Sequence, residues 1–499
     1  MNSSKIAVFS AIVWSGIGRI TAGFLRFVST PLLLNHYGKE QYGLIGLAIS
    51  INVYMQIMEL GFNTGNLRYL SQWLAEKKHD KVVKLIQSSM FFYGLIGLLN
   101  FVLLVIFTFY SGDIFNLSIS ENIIFTNMLY ILAVSSLISW TYSITSQILR
   151  AYEKIALDER LNLIGSVLAF LAVILSVYFN LTISQYFLLY GVSIIVVLPI
   201  KVLKCKALNS SLNFKFKWNS EVFNEVFKYS IGIFGMAFFQ FSARNLRPVI
   251  LGMQASVGDV ADYKIIEQIT GIILLLSGSF MAILLPFVTK MKALNNIKAQ
   301  LRVVYDGTRF ISVFLAFLIF GLVIVAEPLI IFYVGTEYIH LSFWLIVWSV
   351  ALLGYHISAI SAVVLADSNI RPLAYYSMFS ALISLTSAWL LTPNYQVGGA
   401  VISLVIYTIL QMLFYYVYYI PYVMNLNPLK LLVQSFLKPV IIGIISLVIT
   451  KSILLLVPLA VIIYQLIVPA LIFTIIYCIN TLIFIIRPSE IKVILKKII

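Results

Sequence analysis

Four arginines stand within otherwise strongly apolar stretches of the sequence: Arg19, Arg26, Arg244 and Arg247. Arg19 and Arg26 are spaced by two helical turns, so they share one helix face, and Gln240 joins the other pair at the same kind of spacing. A guanidinium group presents N–H donors in a fork that matches phosphate oxygens, and it does not lose its proton. The two faces therefore predict an anion site, with phosphate as the matching group.

A structural role is the alternative for these arginines, because they could pair with an acid or with helix carbonyls, or reach outward to the interface. An arginine at mid-bilayer costs roughly 2.5–3.5 kcal/mol, so each one needs a reason. Glu267 is either a proton or cation coupling site or the counter-ion of a nearby arginine. His356 is either a buried neutral histidine or a titrating coupling residue. Glu59 is a third candidate polar group, near the inner end of the second apolar stretch.

The composition shows which kind of protein must position these side chains. Of the 499 residues, 61% are hydrophobic and only 11% are charged, against about 25% in soluble proteins. The mean hydropathy is +0.99. With only two cysteines, Cys205 and Cys478, a disulfide scaffold is excluded. These values predict an all-α, polytopic membrane protein.

About fourteen stretches have the roughly 20 apolar residues that a membrane helix needs. They lie near 8–33, 41–62, 84–110, 122–149, 157–179, 183–203, 227–252, 260–289, 307–333, 341–366, 372–392, 396–424, 433–456 and 459–486. The even-numbered connections and both termini hold most of the 34 lysines and arginines, whereas the odd-numbered connections hold Lys39, Lys264 and Lys451. By the positive-inside rule, both termini are predicted to be cytoplasmic. The net charge of +15 is thus loop charge, and no nucleic-acid partner is expected.

A weak internal repeat predicts the domain organisation. Arg26 aligns with Arg247 at the same offset that aligns Tyr42 with Tyr263. This favours two six-helix lobes with the same orientation, related by an axis along the membrane normal. The predicted domains are an N-lobe (1–204), a basic cytoplasmic linker (205–226), a C-lobe (227–426), and helices 13 and 14 with a cytoplasmic tail (427–499).

Several motifs resemble those of a known family. Leu34 to Leu44 looks like the loop between spans 1 and 2 of bacterial polysaccharide flippases, and Met58 to Phe62 resembles the acidic residue and glycine that follow. Many relatives carry Asp where this chain has Glu59. Gln147 to Ala151 resembles the cytoplasmic end of span 4. The chain thus resembles the lipid-linked oligosaccharide (O-antigen type) flippases of the multidrug/oligosaccharidyl-lipid/polysaccharide exporter superfamily.

The resemblance implies two six-helix lobes around a central cationic cavity that receives the pyrophosphate of an undecaprenyl-linked glycan. Arg19, Arg26, Arg244 and Arg247 stand where relatives carry cavity arginines. It also implies a flippase of the bacterial cell membrane, in O-antigen, capsule or exopolysaccharide synthesis, with polymerase and chain-length proteins as further partners. With fourteen helices instead of twelve, the chain is similar to the lipid II flippases, so lipid II stays open as the alternative substrate.

Other functions are less well supported by the residues. A multidrug or cation antiporter would need intramembrane acids, but here arginines outnumber the one deep acid, Glu267. A membrane glycan polymerase would need a long outer loop, and the longest, near 111–121, is short. No phosphate-binding glycine loop or catalytic constellation is present in the sequence, so we expect a transporter without a cofactor. An H+ or Na+ gradient or the membrane potential would then drive transport.

Overall fold

A computed structural model of the chain describes residues 3–210, 212–294, 296–365, 371–457 and 460–485. Most of these residues are helical, and no strand occurs among them, which confirms the all-α prediction. The predicted basic tail, with Arg487, lies outside the described residues.

Long helices joined by short turns make up the first half of the chain. They are α1 (Ser3–Tyr37), α2 (Lys39–Met55), α3 (Leu60–Ala75), α4 (His79–Thr108), α5 (Ser111–Ile114), α6 (Ile119–Thr141), α7 (Ile144–Ala151), α8 (Ile155–Tyr178), α9 (Ile183–Ile195), α10 (Val197–Leu208), α11 (Ser220–Asn245) and α12 (Arg247–Gln254). A 3₁₀ turn, Gln56–Glu59, separates α2 from α3.

The second half continues in the same way. Its helices are α13 (Val257–Ala293), α14 (Ile297–Arg302), α15 (Thr308–Val334), α16 (Leu341–Ala351), α17 (Ser358–Leu365), α18 (Arg371–Tyr395), α19 (Val397–Leu413), α20 (Pro428–Leu431), α21 (Lys438–Leu454) and α22 (Ile462–Phe484). Turns of 3₁₀ or π geometry interrupt or extend them at Val303–Gly307, Thr336–Tyr338, Leu352–Ile357, Phe414–Val423 and Leu432–Leu437.

Eleven helical segments of the described chain are long and apolar enough to cross a membrane. The three predicted spans not among them are 41–62, 227–252 and 260–289. Their helices are the polar ones: the first is broken by the 3₁₀ turn before α3, and α11 and α13 carry several charged residues. With these three counted, the fold is that of a polytopic membrane protein with about fourteen spanning helices.

Backbone contacts divide the chain into two compact units. The boundaries between the units fall inside helices α13, α18 and α19 and not in the connections between helices. The first unit is Met1–Gln268 with Ala388–Ala400, and the second is Ile269–Ser387 with Val401–Ile499. The predicted lobes rest on an internal repeat instead, so their boundary at 205–226 stays a prediction.

Within the first unit, α1 packs along α8, α4 packs along α6, and α3 lies between α7 and α11. Lipid tails are as apolar as leucine, so close packing and polar contacts must hold such helices together. Gly61 and Gly65 of α3 both face Ser230 of α11, and neither position has room for a Cβ atom. This pair of small residues lets α3 and α11 approach closely.

The second unit is organised around α15, which packs against α16, α21 and α22. The Tyr477 hydroxyl of α22 donates to the Val313 carbonyl at 2.8 Å. Gly443 of α21 leaves space for the ring of Phe320. The two helices that follow the predicted C-lobe are therefore attached to α15.

Candidate functional site

Two of the predicted site arginines, Arg19 and Arg26, have exposed side chains on α1. The contacts of α1 with α8 and with the turn after it show how far along the helix the two arginines lie. Gly18 lies against the first turns of α8, and the Tyr37 hydroxyl donates to the Leu181 carbonyl at 3.0 Å, beyond the far end of α8. At 1.5 Å per residue, Arg26 is about 12 Å from Gly18 and about 16 Å from Tyr37. Arg26 is therefore near the middle of this length, and Arg19 is near its N-terminal end, which is predicted to be cytoplasmic.

Hydrogen bonds connect the turn of Arg26 to α2. The Thr30 hydroxyl donates to the Arg26 carbonyl at 3.3 Å, and the Tyr42 hydroxyl lies 3.1 Å from Thr30 Oγ1. Tyr42 is buried, and it interacts electrostatically with Glu267 of α13. Three helices, α1, α2 and α13, thus bring polar groups together at one depth.

Arg247 stands at a break between two helices. Helix α11 ends at Asn245, α12 begins at Arg247, and Pro248 has no N–H to donate to the preceding turn. The Arg247 side chain is 1% exposed, and its Nη1 donates to the carbonyl of Ala243. In this conformation the guanidinium therefore covers the end of α11, as the structural alternative anticipated.

Arg244 and Gln240 precede that break on α11. Arg244 is exposed and Gln240 is partly exposed. The Tyr54 hydroxyl of α2 lies 3.4 Å from the Ser242 hydroxyl, so this end of α11 runs beside α2. The four predicted arginines thus separate into three exposed ones and the buried Arg247.

Glu267 forms an ion pair that the sequence analysis missed. Its Oε2 is 2.7 Å from Nζ of Lys264, and the two side chains are 32% and 15% exposed. We predicted Lys264 to be in an outer connection, but it lies inside α13, about two turns after Val257. A Cβ on Gly46 of α2 would be 2.8 Å from Lys264 Cγ, so the lysine stem crosses the α2 backbone. The i, i+3 spacing of the two residues was the signal available in the sequence.

A second ion pair joins the predicted outer ends of α2 and α13. Lys39 Nζ lies 2.9 Å from Oδ2 of the buried Asp262. Close by, Gly43 of α2 packs against the backbone of Val257 with no room for a Cβ atom. These contacts hold the two helix ends together.

Glu59 belongs to a separate polar cluster between α3 and α4. It is 8% exposed, and Asn63 Nδ2 donates to its Oε2 at 3.4 Å. Its Oε1 is buried and has no hydrogen-bond partner in the part of the chain that the structure describes. The buried Tyr93 donates to Asn63 Oδ1 and accepts a hydrogen bond from Asn66 at 3.0 Å. Glu59 is therefore a buried carboxyl group next to neutral polar groups.

His356 lies in the second unit, in the 3₁₀ turn after α16, and is fully buried. Its Nδ1 is 2.7 Å from the Leu353 carbonyl, its Nε2 is 2.8 Å from the Tyr416 hydroxyl, and its ring stacks on Phe436. A carbonyl only accepts, so Nδ1 carries the proton and Nε2 can accept from Tyr416. This arrangement suits a neutral buried histidine.

Another charged group that the sequence analysis did not single out is Asp158 of α8, which is fully buried. Its Oδ1 is 2.8 Å from Lys201 Nζ, and its Oδ2 is 2.8 Å from Arg150 Nε. Lys201 is also bound by Ser146 and Asn162. Both cations belong to the positive charge that the sequence places near the even-numbered connections. Here they close a buried network that connects α7, α8 and α10.

The exposed arginines differ from all these groups, because no hydrogen bond or ion pair joins the guanidinium group of Arg19, Arg26 or Arg244 to another described residue. The Arg26 guanidinium interacts electrostatically with Tyr190 of α9. Unpartnered guanidinium groups within membrane helices are unfavourable in hydrocarbon, so they need water or an anion. Lys264, whose stem crosses Gly46 one turn along α2 from Tyr42, and its carboxylate Glu267 lie at about the same depth as Arg26. This arrangement can bind a multiply charged anion.

The described chain has the fold of an α-helical polytopic membrane protein, and comparisons with solved structures show which proteins share this fold. The structure is similar to the lipid II flippase MurJ in an inward closed conformation, with a TM-score of 0.73, 17% identity and coverage of 95% of this chain and 98% of that one. It also resembles an inward-facing multidrug resistance MATE family transporter of the MOP superfamily (TM-score 0.65, 12% identity, 80% and 96% coverage). A MOP superfamily transporter from Pyrococcus furiosus has a TM-score of 0.52 at 12% identity, with 81% and 94% coverage. Identities this low show the fold alone.

The sequence itself places the chain in a family. Residues 9–292, more than half of the chain, match the family described as polysaccharide biosynthesis protein. The chain belongs to this family, which confirms the family resemblance. No curated protein matches the sequence. The chain shares its fold with proteins described as a flippase and as transporters.

Proposed function

We propose that the protein is a flippase that moves an undecaprenyl-pyrophosphate-linked oligosaccharide repeat unit from the inner to the outer leaflet. The repeat unit would serve O-antigen, capsule or exopolysaccharide synthesis, in company with polymerase and chain-length proteins. The observation that carries this proposal is the set of exposed arginines on α1 and α11, whose guanidinium groups make no hydrogen bond or ion pair with the described part of the chain. Arg26 lies near mid-length of α1 and α8. Family membership in polysaccharide biosynthesis supports the substrate class.

The physical task explains why cations are needed. A pyrophosphate and its sugars cannot cross hydrocarbon unaided, since burying unpaired charge is prohibitively costly. In the proposed cycle the arginines bind the diphosphate from the cytoplasmic side while the lipid tail stays in the bilayer. Both chain termini would be cytoplasmic in the bacterial cell membrane. Rearrangement then exposes the head group to the outside.

An energy source is needed for net export. An inside-negative membrane potential favours outward movement of an anion by about 2.3 kcal/mol per charge per 100 mV. An H+ or Na+ gradient is the other source that we propose, with Glu59 as the buried carboxyl group suited to carry a proton.

The test is translocation of a fluorescent undecaprenyl-pyrophosphate oligosaccharide in proteoliposomes. We expect Arg26→Ala to slow translocation by roughly 10- to 100-fold, the factor that corresponds to losing about 1.5–3 kcal/mol in a charged hydrogen bond. Arg68→Ala is the matched control, because Arg68 lies over the Tyr229 ring at 4.2 Å rather than in the site. Equal translocation by Arg26→Ala and wild-type protein at equal reconstitution would overturn the proposal.

Lipid II is the second candidate substrate, favoured by the similarity to MurJ over 95% of the chain. The same proteoliposomes distinguish the two. Faster translocation of lipid II than of the oligosaccharide lipid would assign the protein to peptidoglycan precursor export instead.

A further inference from the structure

The ion pair between Lys264 and Glu267 differs from the other close ion pair of α13 in its position and exposure. The Lys39–Asp262 pair lies near the start of α13, and its carboxylate is 4% exposed. The Glu267 carboxylate is 32% exposed although it lies further into the helix. A charged pair that keeps this much exposed surface within the membrane needs a watery space beside it, because hydrocarbon would penalise both charges.

This pair is at the depth of Arg26. Thr30 and Tyr42 link the turn of Arg26 to α2, and Tyr42 interacts electrostatically with Glu267. The Lys264 stem lies across Gly46, one turn further along α2 than Tyr42. The ammonium group of Lys264 is therefore a further cation in the region of the candidate anion site.

The chemistry of the pair follows from this position. Without substrate, Glu267 neutralises Lys264 and limits the excess of positive charge around Arg26. When a diphosphate enters, its oxygens can replace the carboxylate on the lysine, since both are anionic acceptors of charge-assisted hydrogen bonds. When the carboxylate returns to the lysine, it competes with the diphosphate and favours release. An internal counter-ion thus weakens binding but speeds turnover, because substrate held too tightly is not released.

We propose that Lys264 is a further diphosphate-binding residue and that Glu267 is its exchangeable internal counter-ion. This inference rests on the proposed function, because it assigns an additional residue to the same anion site. It makes a distinctive prediction: removing the acid strengthens binding, whereas removing the base weakens it.

The experiment measures the affinity of the purified full-length protein for undecaprenyl pyrophosphate in detergent micelles. We expect Lys264→Gln to weaken binding about tenfold and Glu267→Gln to tighten it about threefold or more, as for gain or loss of a charge-assisted contact. In the double variant the tightening should disappear, because no lysine remains to be released. Glu267→Gln should also translocate more slowly despite its tighter binding.

Glu225→Gln is the matched control, since Glu225 forms a 3.0 Å ion pair with Lys81 away from the site. It should leave affinity unchanged. A purely structural Lys264–Glu267 pair would give weaker or unchanged binding in both single variants, and this result would overturn the inference. If Arg26→Ala weakens binding but Lys264→Gln does not, the inference fails while the proposed function stands. If wild-type protein does not bind the probe, both fail.

Discussion

Two groups of charged side chains in the first unit show opposite degrees of neutralisation. Around Asp158, a fully buried carboxylate is bound by Lys201 and Arg150, and Lys201 has two more polar partners. Around Arg26, the guanidinium is exposed, and the nearby Glu267 is paired with Lys264 through an accessible contact.

Burial and partners thus separate structural charges from candidate functional charges in these membrane helices. A buried charge is tolerated when partners surround it, and such a group holds helices together. An intramembrane charge that the described chain leaves without an ion pair is a candidate for binding an external group. Arg247 is an intermediate case, because the predicted repeat aligns it with Arg26 and yet it is buried against a helix end.

The largest effect is expected where neutralisation is most complete. Asp158→Ala would leave the buried Lys201 without its carboxylate and Arg150 with only its 3.3 Å pair to Glu159. Breaking a buried pair in this way costs about 3–5 kcal/mol. Thermal unfolding of the purified protein in detergent should show a strongly lowered melting temperature. The double variant Asp158→Leu with Lys201→Met should recover part of the loss, because it removes both charges together. An unchanged melting temperature for Asp158→Ala would contradict the structural role.

Arg247→Ala should have the second largest effect on the free energy of unfolding. Removing its guanidinium uncovers the Ala243 carbonyl, and a buried acceptor left without a partner costs about 1–3 kcal/mol. Arg26→Ala, in contrast, should change the free energy of unfolding by less than about 0.5 kcal/mol, as usual for an exposed site. Melting curves and translocation rates measured on the same preparations test this contrast. If Arg26→Ala were the more destabilising of the two, the assignment would be reversed.

Glu59→Gln tests a buried carboxyl group that has no cationic partner in the cluster around it. We expect the melting temperature not to fall, because the amide has the same shape and removes a charge that only neutral groups surround. If Glu59 carries the coupling proton, translocation should lose its response to an imposed proton gradient. Transport that still accelerates with the gradient would exclude Glu59 as the coupling site.

The groups around Glu59 make this measurement interpretable. Tyr93 of α4 interacts with it electrostatically. On the adjoining α3 and α11, Arg68 lies over Tyr229, and Glu225 is bound to Lys81 of α4. These cations are thus engaged elsewhere, and the substitution changes a single titrating carboxyl group.

Lys81→Ala should have the smallest effect. Its pair with Glu225 has side chains that are 38% and 39% exposed, and exposed ion pairs contribute about 0–1 kcal/mol. Melting temperature and translocation should both stay close to the wild-type values. A large loss of either would show that partial exposure is a poor guide to the role of a charge in this fold.

Individual residues show which features of the fold and of the candidate site could be predicted from the sequence. The apolar lengths predict the helices, and the interruption of apolar stretches by arginine identifies Arg19 and Arg26, because both signals are local. Glu267 was also recognised as a deep acid, but its partner was not, since Lys264 had been assigned to a connection. The helix boundary at Val257 was needed to place that lysine within α13.

Sequence alone therefore determined the class of protein, the approximate spans and the identity of the unusual charges. The tertiary structure decided which charges are neutralised: Arg247 covers the end of α11, Asp158 binds Lys201 from a helix far along the chain, and His356 meets Tyr416. The physical reason is that helix periodicity depends on neighbours in sequence. The partner of a charge depends on which helices meet and at what depth, and this is set by packing of the whole chain.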